Sequence, residues 1–159
     1  MNPTIKIFSK AKFIGKNLTF TYSDYRIVEL WNSFMVRRNE IKNQIGINYF
    51  NIQINPQNFD FNPNTSFVKW AAVEVSDFHS IPDGMEILEI QEGLYAIFHY
   101  VGNNQNAANF FNKIYKDWLP NSEFELDNRP QFEILGEKYK NDNPISEEDI
   151  YIPIKRKEV

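Results

Sequence analysis

One order of elements is written twice in this chain: strand, helix, strand, strand. In the first copy, Ile5 to Tyr22 reads as extended structure. Ile5, Ile7, Phe13, Leu18 and Phe20 supply β-favouring side chains, and Gly15 marks a bulge or a turn. Ser23-Asp24 offers a helix N-cap. Ile27, Leu30, Trp31, Phe34 and Ile41 then follow helical spacing in one apolar stripe, with Gly46 as the terminator. Tyr49 to Asn55 alternates as a strand, and Phe67 to Val75 is another. Between them, Asn55-Pro56-Gln57-Asn58 and Asn62-Pro63-Asn64 are turn chemistry.

The second copy follows the loop Ser76 to Gly84. Met85 to Ile90 and Leu94 to Val101 flank the turn Gln91-Glu92-Gly93. A helix carries the stripe Ala107, Phe111, Ile114, Tyr115 and Trp118, and Pro120 stops it. The strand Gln131 to Leu135, a polar loop Lys138 to Glu148 and a last strand Asp149 to Lys155 complete the unit. Tyr49-Phe50-Asn51-Ile52-Gln53 echoes Gln131-Phe132-Glu133-Ile134-Leu135, and Phe13 precedes Phe50 by as much as Tyr95 precedes Phe132. The economical reading is one domain over residues 1–159 built from repeats at about 5–76 and 85–155.

Two βαββ units of this kind predict an α+β fold. Their strands join one curved antiparallel sheet with both helices on one face, and a cleft shared by the halves lies on the other. Alternation along Gln131 to Leu135 puts Phe132 and Ile134 on one face and Gln131, Glu133 and Leu135 on the opposite one. The first pair is expected to meet the helices, so Glu133 and Leu135 are expected to line the cleft. Asn51 becomes the pseudo-symmetric partner of Glu133, with Tyr49 beside it. Trp70 is a candidate aromatic wall whose face the pattern leaves open between cleft and core.

Composition narrows the functions. The 159 residues carry a formal net charge of −4, which gives no basic footprint for nucleic acid. There is no cysteine, so disulfide, thiolate and Cys-based zinc chemistry are excluded. His79 and His99 are the only histidines, and neither has a second ligand at metal spacing. No G-x-S-x-G elbow and no phosphate-binding glycine loop occurs, and no cofactor is expected. The N-terminus has no apolar signal region and no stretch is long enough to span a bilayer, so a cytoplasmic protein is expected. Glu147-Glu148-Asp149 reads as a solvated charge run in a loop. Aromatics reach 16% of residues, more than a small core uses, so some are expected on a binding surface.

The second half resembles a known family. Ile81-Pro82-Asp83-Gly84, with Gly93-Leu94-Tyr95-Ala96-Ile97-Phe98-His99-Tyr100-Val101-Gly102, is similar to the P-x-G and G-x-Y-A-x-F-x-x-x-G run of GyrI-like proteins, also called AraC-type effector-binding domains. Tyr115-Lys116-Asp117-Trp118-Leu119-Pro120-Asn121-Ser122 resembles their Y-x-x-W-L-P-x-S helix end. Phe132-Glu133-Ile134 and Tyr151-Ile152-Pro153-Ile154 resemble their F-E-x-Y and Y-I-P-I strands. The resemblance implies a duplicated βαββ fold that receives lipophilic, often cationic, small molecules between its halves. It implies that Glu133 faces the ligand's positive charge and that Tyr151 is an aromatic wall. Leu135 stands where the family often has tyrosine, which makes the pocket greasier there.

The leading expectation is therefore a stand-alone small-molecule-binding module that does not bind DNA by itself. A hydrolase of reactive cyclopropane-type compounds, with Glu133 as general base, is one alternative. A gyrase-inhibiting interaction protein is another.

Overall fold

The computed structural model describes residues 1–136 and 146–158, with Asn104 and Gln105 described in backbone only. The elements are β1 (Thr4–Phe8), β2 (Ala11–Phe20), α1 (Ile27–Met35), β3 (Tyr49–Ile54), β4 (Phe67–Val75), β5 (Glu86–Ile90), β6 (Gly93–Val101), α2 (Asn104–Lys113), α3 (Leu119–Asn121), β7 (Phe124–Leu126), β8 (Gln131–Leu135) and β9 (Glu147–Arg156). A 3-10 turn, Arg38–Glu40, follows α1, and a π-helical turn, Ile114–Trp118, joins α2 to α3. The expected α+β architecture is found: the described strands form an antiparallel sheet in the order β1-β6-β9-β8-β3-β4-β2-β5, with β7 beside β9. The order reads β6-β9-β8 from one half and β2-β4-β3 from the other, meeting at the β8–β3 seam. Asn51 lies opposite Glu133 across that seam.

The turn Gln91-Glu92-Gly93 does not close a hairpin. β5 pairs with β2, and β1 pairs with β6. The pairs Thr4↔Ile97, Phe8↔Gly93, Ala11↔Ile90 and Gly15↔Glu86 all sum to 101, so the two extended arms cross in one continuous register. This crossing forces curvature. β1 and β2 lie six strand spacings apart, roughly 29 Å if the sheet were flat. Ser9 and Lys10 alone join them, a reach of roughly 11 Å. The sheet must therefore bend its ends together. Phe13, Phe50, Ile52, Trp70, Tyr95 and Phe132 fill the inside of that bend. Phe132 lies 5.0 Å from Phe8 and stacks on Tyr151 at 4.6 Å between centroids.

The helices occupy the outer face. Leu30 and Phe34 of α1 pack on Ile14, Ala71 and Val73. Ile114, with half-buried Phe110, Phe111, Tyr115 and Trp118, packs on Ala96, Phe98, Ile150 and Ile152. The short α1 starts at Ile27 without a side-chain cap. Ser23 instead binds Asn64, and Thr21 Oγ1 accepts the Asp24 N–H, so the expected cap residues pin a loop. Pro120 lies inside the last helical turn, which ends at Asn121. The π turn precedes Pro120, which has no N–H for an ordinary helical bond. Gly15 is neither bulge nor turn. It is paired on both sides, and a Cβ there would sit 2.1 Å from the Ala71 carbonyl oxygen.

Two further sequence expectations are overturned. Phe132 and Ile134 face away from the helices into the inner core, so Glu133 stands on the helix side. The reason is the arm crossing: it makes the helix-free face a closed aromatic core, with no room for a buried charge. The run Glu147-Glu148-Asp149 is not loop but the start of β9. Of the expected loop, residues 138–145 lie outside the described residues.

Candidate functional site

Strand alternation and register build the site without any long-range coincidence. On the helix face, β4, β3, β8 and β9 contribute adjoining rows. One row holds Lys69, Gln53 and Gln131. The next holds Ala71, Asn51, Glu133 and Ile150. α1 stands over the first half of the sheet and α2 over the second, so these rows form a floor between two helices.

The floor is unusually polar for buried sheet. Gln53, Lys69, Gln131 and Glu148 are all buried. Lys69 Nζ donates to Gln53 Oε1 at 3.0 Å, and Gln53 Nε2 donates to the Tyr22 hydroxyl at 2.9 Å. The Tyr115 hydroxyl donates to Gln131 Oε1 at 2.7 Å. Trp31 Nε1 donates to Asn51 Oδ1 at 3.2 Å, which turns the Asn51 amide nitrogen toward Glu133 Oε2, 3.4 Å away. Such networks fix side chains in place because any unpaired member would be costly.

Three ionisable groups meet here. Glu133 lies across from Ile150, and Glu148 is the same-face residue two positions earlier on β9. That diagonal spacing is within reach of two glutamates. The two carboxyls share a hydrogen bond. Burial, the neighbouring Glu133 charge and that hydrogen bond hold the Glu148 carboxyl well above the usual carboxylate range, with Lys69 opposing. Burial lowers the Lys69 ammonium from its ordinary value, while Glu133 and Glu148 pull it back up. Burial also raises Tyr22 and Tyr115, and Glu133 adds to both. Both phenols therefore stay protonated around the acid.

Aromatic rings form the walls. Phe111 lies 6.3 Å from Tyr115 in a near-parallel stack, and Phe61 packs on Tyr115 at 4.7 Å. Phe61 comes from the β3–β4 loop of the first half, so this contact bridges the two halves. The recess between these groups, bordered by Asn51, Gln53, Lys69, Phe111, Gln131 and Glu133, is too narrow as it stands to hold a water-sized sphere.

Of the residues singled out in the sequence, the structure brings Glu133, Asn51, Tyr49 and Leu135 to this floor; Tyr49 and Leu135 are cross-strand partners. Tyr151 borders the recess, but its ring, like that of Trp70, does not stand on the floor. Both belong to the inner cluster on the opposite face, and Trp70 is 6% exposed. Lys69, Glu148, Tyr115 and Tyr22 are the additions. Alternation carries the signal for the first two, since each falls in phase with buried neighbours on its strand. Among the described residues no cluster of His, Asp or Glu suits a metal ion, and no helix is long and apolar enough to cross a membrane.

Comparison with known proteins gives this site its context. The transcriptional regulator BrlR of Pseudomonas aeruginosa is 30% identical over 131 residues, covering 80% of this chain and 46% of BrlR, so the chain spans less than half the length of that relative. The structure of SAV2435 bound to tetraphenylphosphonium superposes with a TM-score of 0.69 at 14% identity, covering 98% of this chain and 94% of the other. The EcmrR C-terminal domain gives 0.71 at 14% identity, with 98% of each chain covered. These two likenesses speak to fold. The model of the GyrI-like small molecule binding domain matches residues 1–155. The chain belongs to that family.

Proposed function

We propose that the chain binds lipophilic small cations in the recess between its helices. Glu133 supplies the negative charge, and Tyr115, Phe111, Tyr22 and Phe61 supply the aromatic walls. The observation that carries this reading is a carboxylate on a buried polar floor beside Phe111, with Tyr115, bonded to the floor at Gln131, in ring contact with Phe61 of the other half. A cation in such a place gains Coulomb attraction in low dielectric together with cation–π contact. The likeness to effector domains of regulators supports a module that reports a compound to a partner in a cytoplasmic setting.

The test is direct binding of tetraphenylphosphonium, followed by tryptophan fluorescence and calorimetry. Wild type is expected to bind, and Glu133→Gln to lose at least tenfold in affinity. Equal affinity in the two proteins would sink the charge-recognition reading. Turnover of an electrophilic substrate, lost in the same variant, would favour the hydrolase instead.

A further inference from the structure

The charges on the floor do not leave Glu133 free to receive a cation. Lys69 is buried beside it and already balances one negative charge. A second carboxyl, buried Glu148, is the same-face diagonal neighbour of Glu133, and two carboxyls this close in a dry recess do not both ionise readily, so the pair keeps one proton. The resting set of Glu133, Lys69 and protonated Glu148 is therefore neutral as a group. A cation added to it would stand uncompensated in a dry recess, which is expensive.

We propose that Glu133 and Glu148 act as a single dyad holding one proton, and that an entering cation replaces that proton. Glu148 loses its O–H proton to solvent, both glutamates become carboxylates, and the pair then balances Lys69 and the ligand together. This rests on the cation-binding reading and adds its regulation: occupancy becomes coupled to pH. The groups that face the dyad are Lys69 from β4, Tyr22 after β2, Tyr115 from the helical run and Tyr100 from β6; Asp149, next to Glu148 on β9, points to the opposite face, where it binds His99. The phenols keep their protons, Lys69 favours ionisation of the dyad, and Asp149 opposes it. Glu148 is thus the group that changes.

Tetraphenylphosphonium is the suitable probe because its charge is permanent, so any proton released comes from the protein. Calorimetry at pH 7 in buffers of different ionisation enthalpy is expected to show about one proton released per cation bound. The wild-type affinity is expected to rise up to about tenfold per pH unit while Glu148 remains protonated. Glu148→Gln should bind at least tenfold more weakly at pH 8.5, release no proton and lose the pH dependence; Glu148→Asp should restore proton release. Binding by wild type without proton release would overturn the dyad and leave the Glu133 reading intact. Binding unchanged in Glu133→Gln, or none by wild type, would overturn both. A ligand-free measurement stands beside these: infrared spectroscopy at pH 7 should show the C=O stretch of a protonated carboxyl, absent in Glu148→Gln. Its absence in wild type would overturn the dyad whatever binds.

Discussion

Glu133 on β8 and Glu148 on β9 are diagonal neighbours on one face of the sheet, and their carboxyls share a hydrogen bond. The pair lies at the β8–β9 step, one strand from the seam between the two halves. Its consequences extend from ligand binding to stability.

The first is a pH dependence of folding. Glu148 is raised in the folded protein to about 9, chiefly by burial. In the unfolded chain it titrates near its ordinary value. Between those values the folded state holds a proton that the unfolded state has released, so stability falls as pH rises. The contribution is complete below the unfolded value and is gone once pH has risen through the folded one. The slope is at most about 1.4 kcal/mol per pH unit. Urea melts of wild type and Glu148→Gln at pH 5.5, 7 and 8.5 should diverge in that sense, with the variant much flatter. Parallel curves would contradict a buried protonated Glu148.

Lys69 yields the second. Replacing it with methionine keeps the volume of the stem and removes the charge that offsets Glu133. Leaving one member of a buried charge group unpaired costs about 3 kcal/mol. The same change frees Glu133 for an external cation. Lys69→Met should therefore melt lower than wild type without ligand, and saturating tetraphenylphosphonium should raise its melting temperature by more than it raises the wild type's. An equal ligand-induced shift in both proteins would mean that Lys69 does not compete for the site.

These two residues also mark the limit of what the sequence told. The strand–helix–strand–strand order was legible because apolar spacing and turn residues report local structure. The pairing of Asn51 with Glu133 was legible because the two strands echo each other. Glu148 was not, because a run of three acids reads as solvent-facing unless the alternation of Ile150, Ile152 and Ile154 is extended back by one step. Lys69 hid in the same way behind Phe67, Ala71 and Val73. The face assignment failed for another reason. Alternation says that Phe132 and Glu133 oppose each other, but only the crossing of the β1–β2 and β5–β6 arms decides which face closes into a core. That crossing depends on pairing between segments 71 to 93 residues apart, which no local pattern carries.

The crossing itself can be tested at Gly15. This residue pairs with Ala72 on one side and Glu86 on the other, and an added methyl group would meet the backbone at Ala71. The obstacle is main chain in the middle of a sheet, so it cannot swing aside. Gly15→Ala should cost about 3 kcal/mol or more, or prevent folding. A denaturant midpoint within experimental error of wild type would show that the arms do not pack as described.

Trp31 supplies a subtler prediction. Its indole N–H holds Asn51 Oδ1, and so selects which end of the amide faces Glu133. Trp31→Phe keeps an aromatic ring against Phe34 and Tyr49 but removes the donor. The stability loss should be about 1 kcal/mol. With Asn51 free to rotate, its oxygen can turn toward the carboxylate, and cation affinity should fall a few fold. Affinity unchanged in Trp31→Phe would show that Asn51 is oriented by something else.

The last prediction concerns entry. The recess is closed as it stands, without room for even a water-sized sphere. A bulky cation therefore requires a wall to move, and the Phe61–Tyr115 contact is the one that joins the halves. Phe61 is also held in a left-handed backbone conformation, at φ 60°, which is unfavourable for a residue with a side chain. Its ring contacts with Phe59 and Tyr115, and Asp60 Oδ1 accepting from the Asn62 N–H and the Thr65 hydroxyl, offset that strain. Phe61→Gly removes the ring and the strain together, whereas Phe61→Ala removes only the ring. The glycine variant should thus be more stable than the alanine variant by about 1 kcal/mol. Both should admit tetraphenylphosphonium faster than wild type, on the order of fivefold in stopped-flow association, because opening no longer breaks an aromatic contact worth about 1 kcal/mol. An association rate unchanged in both variants would place the entrance elsewhere, away from the β3–β4 loop.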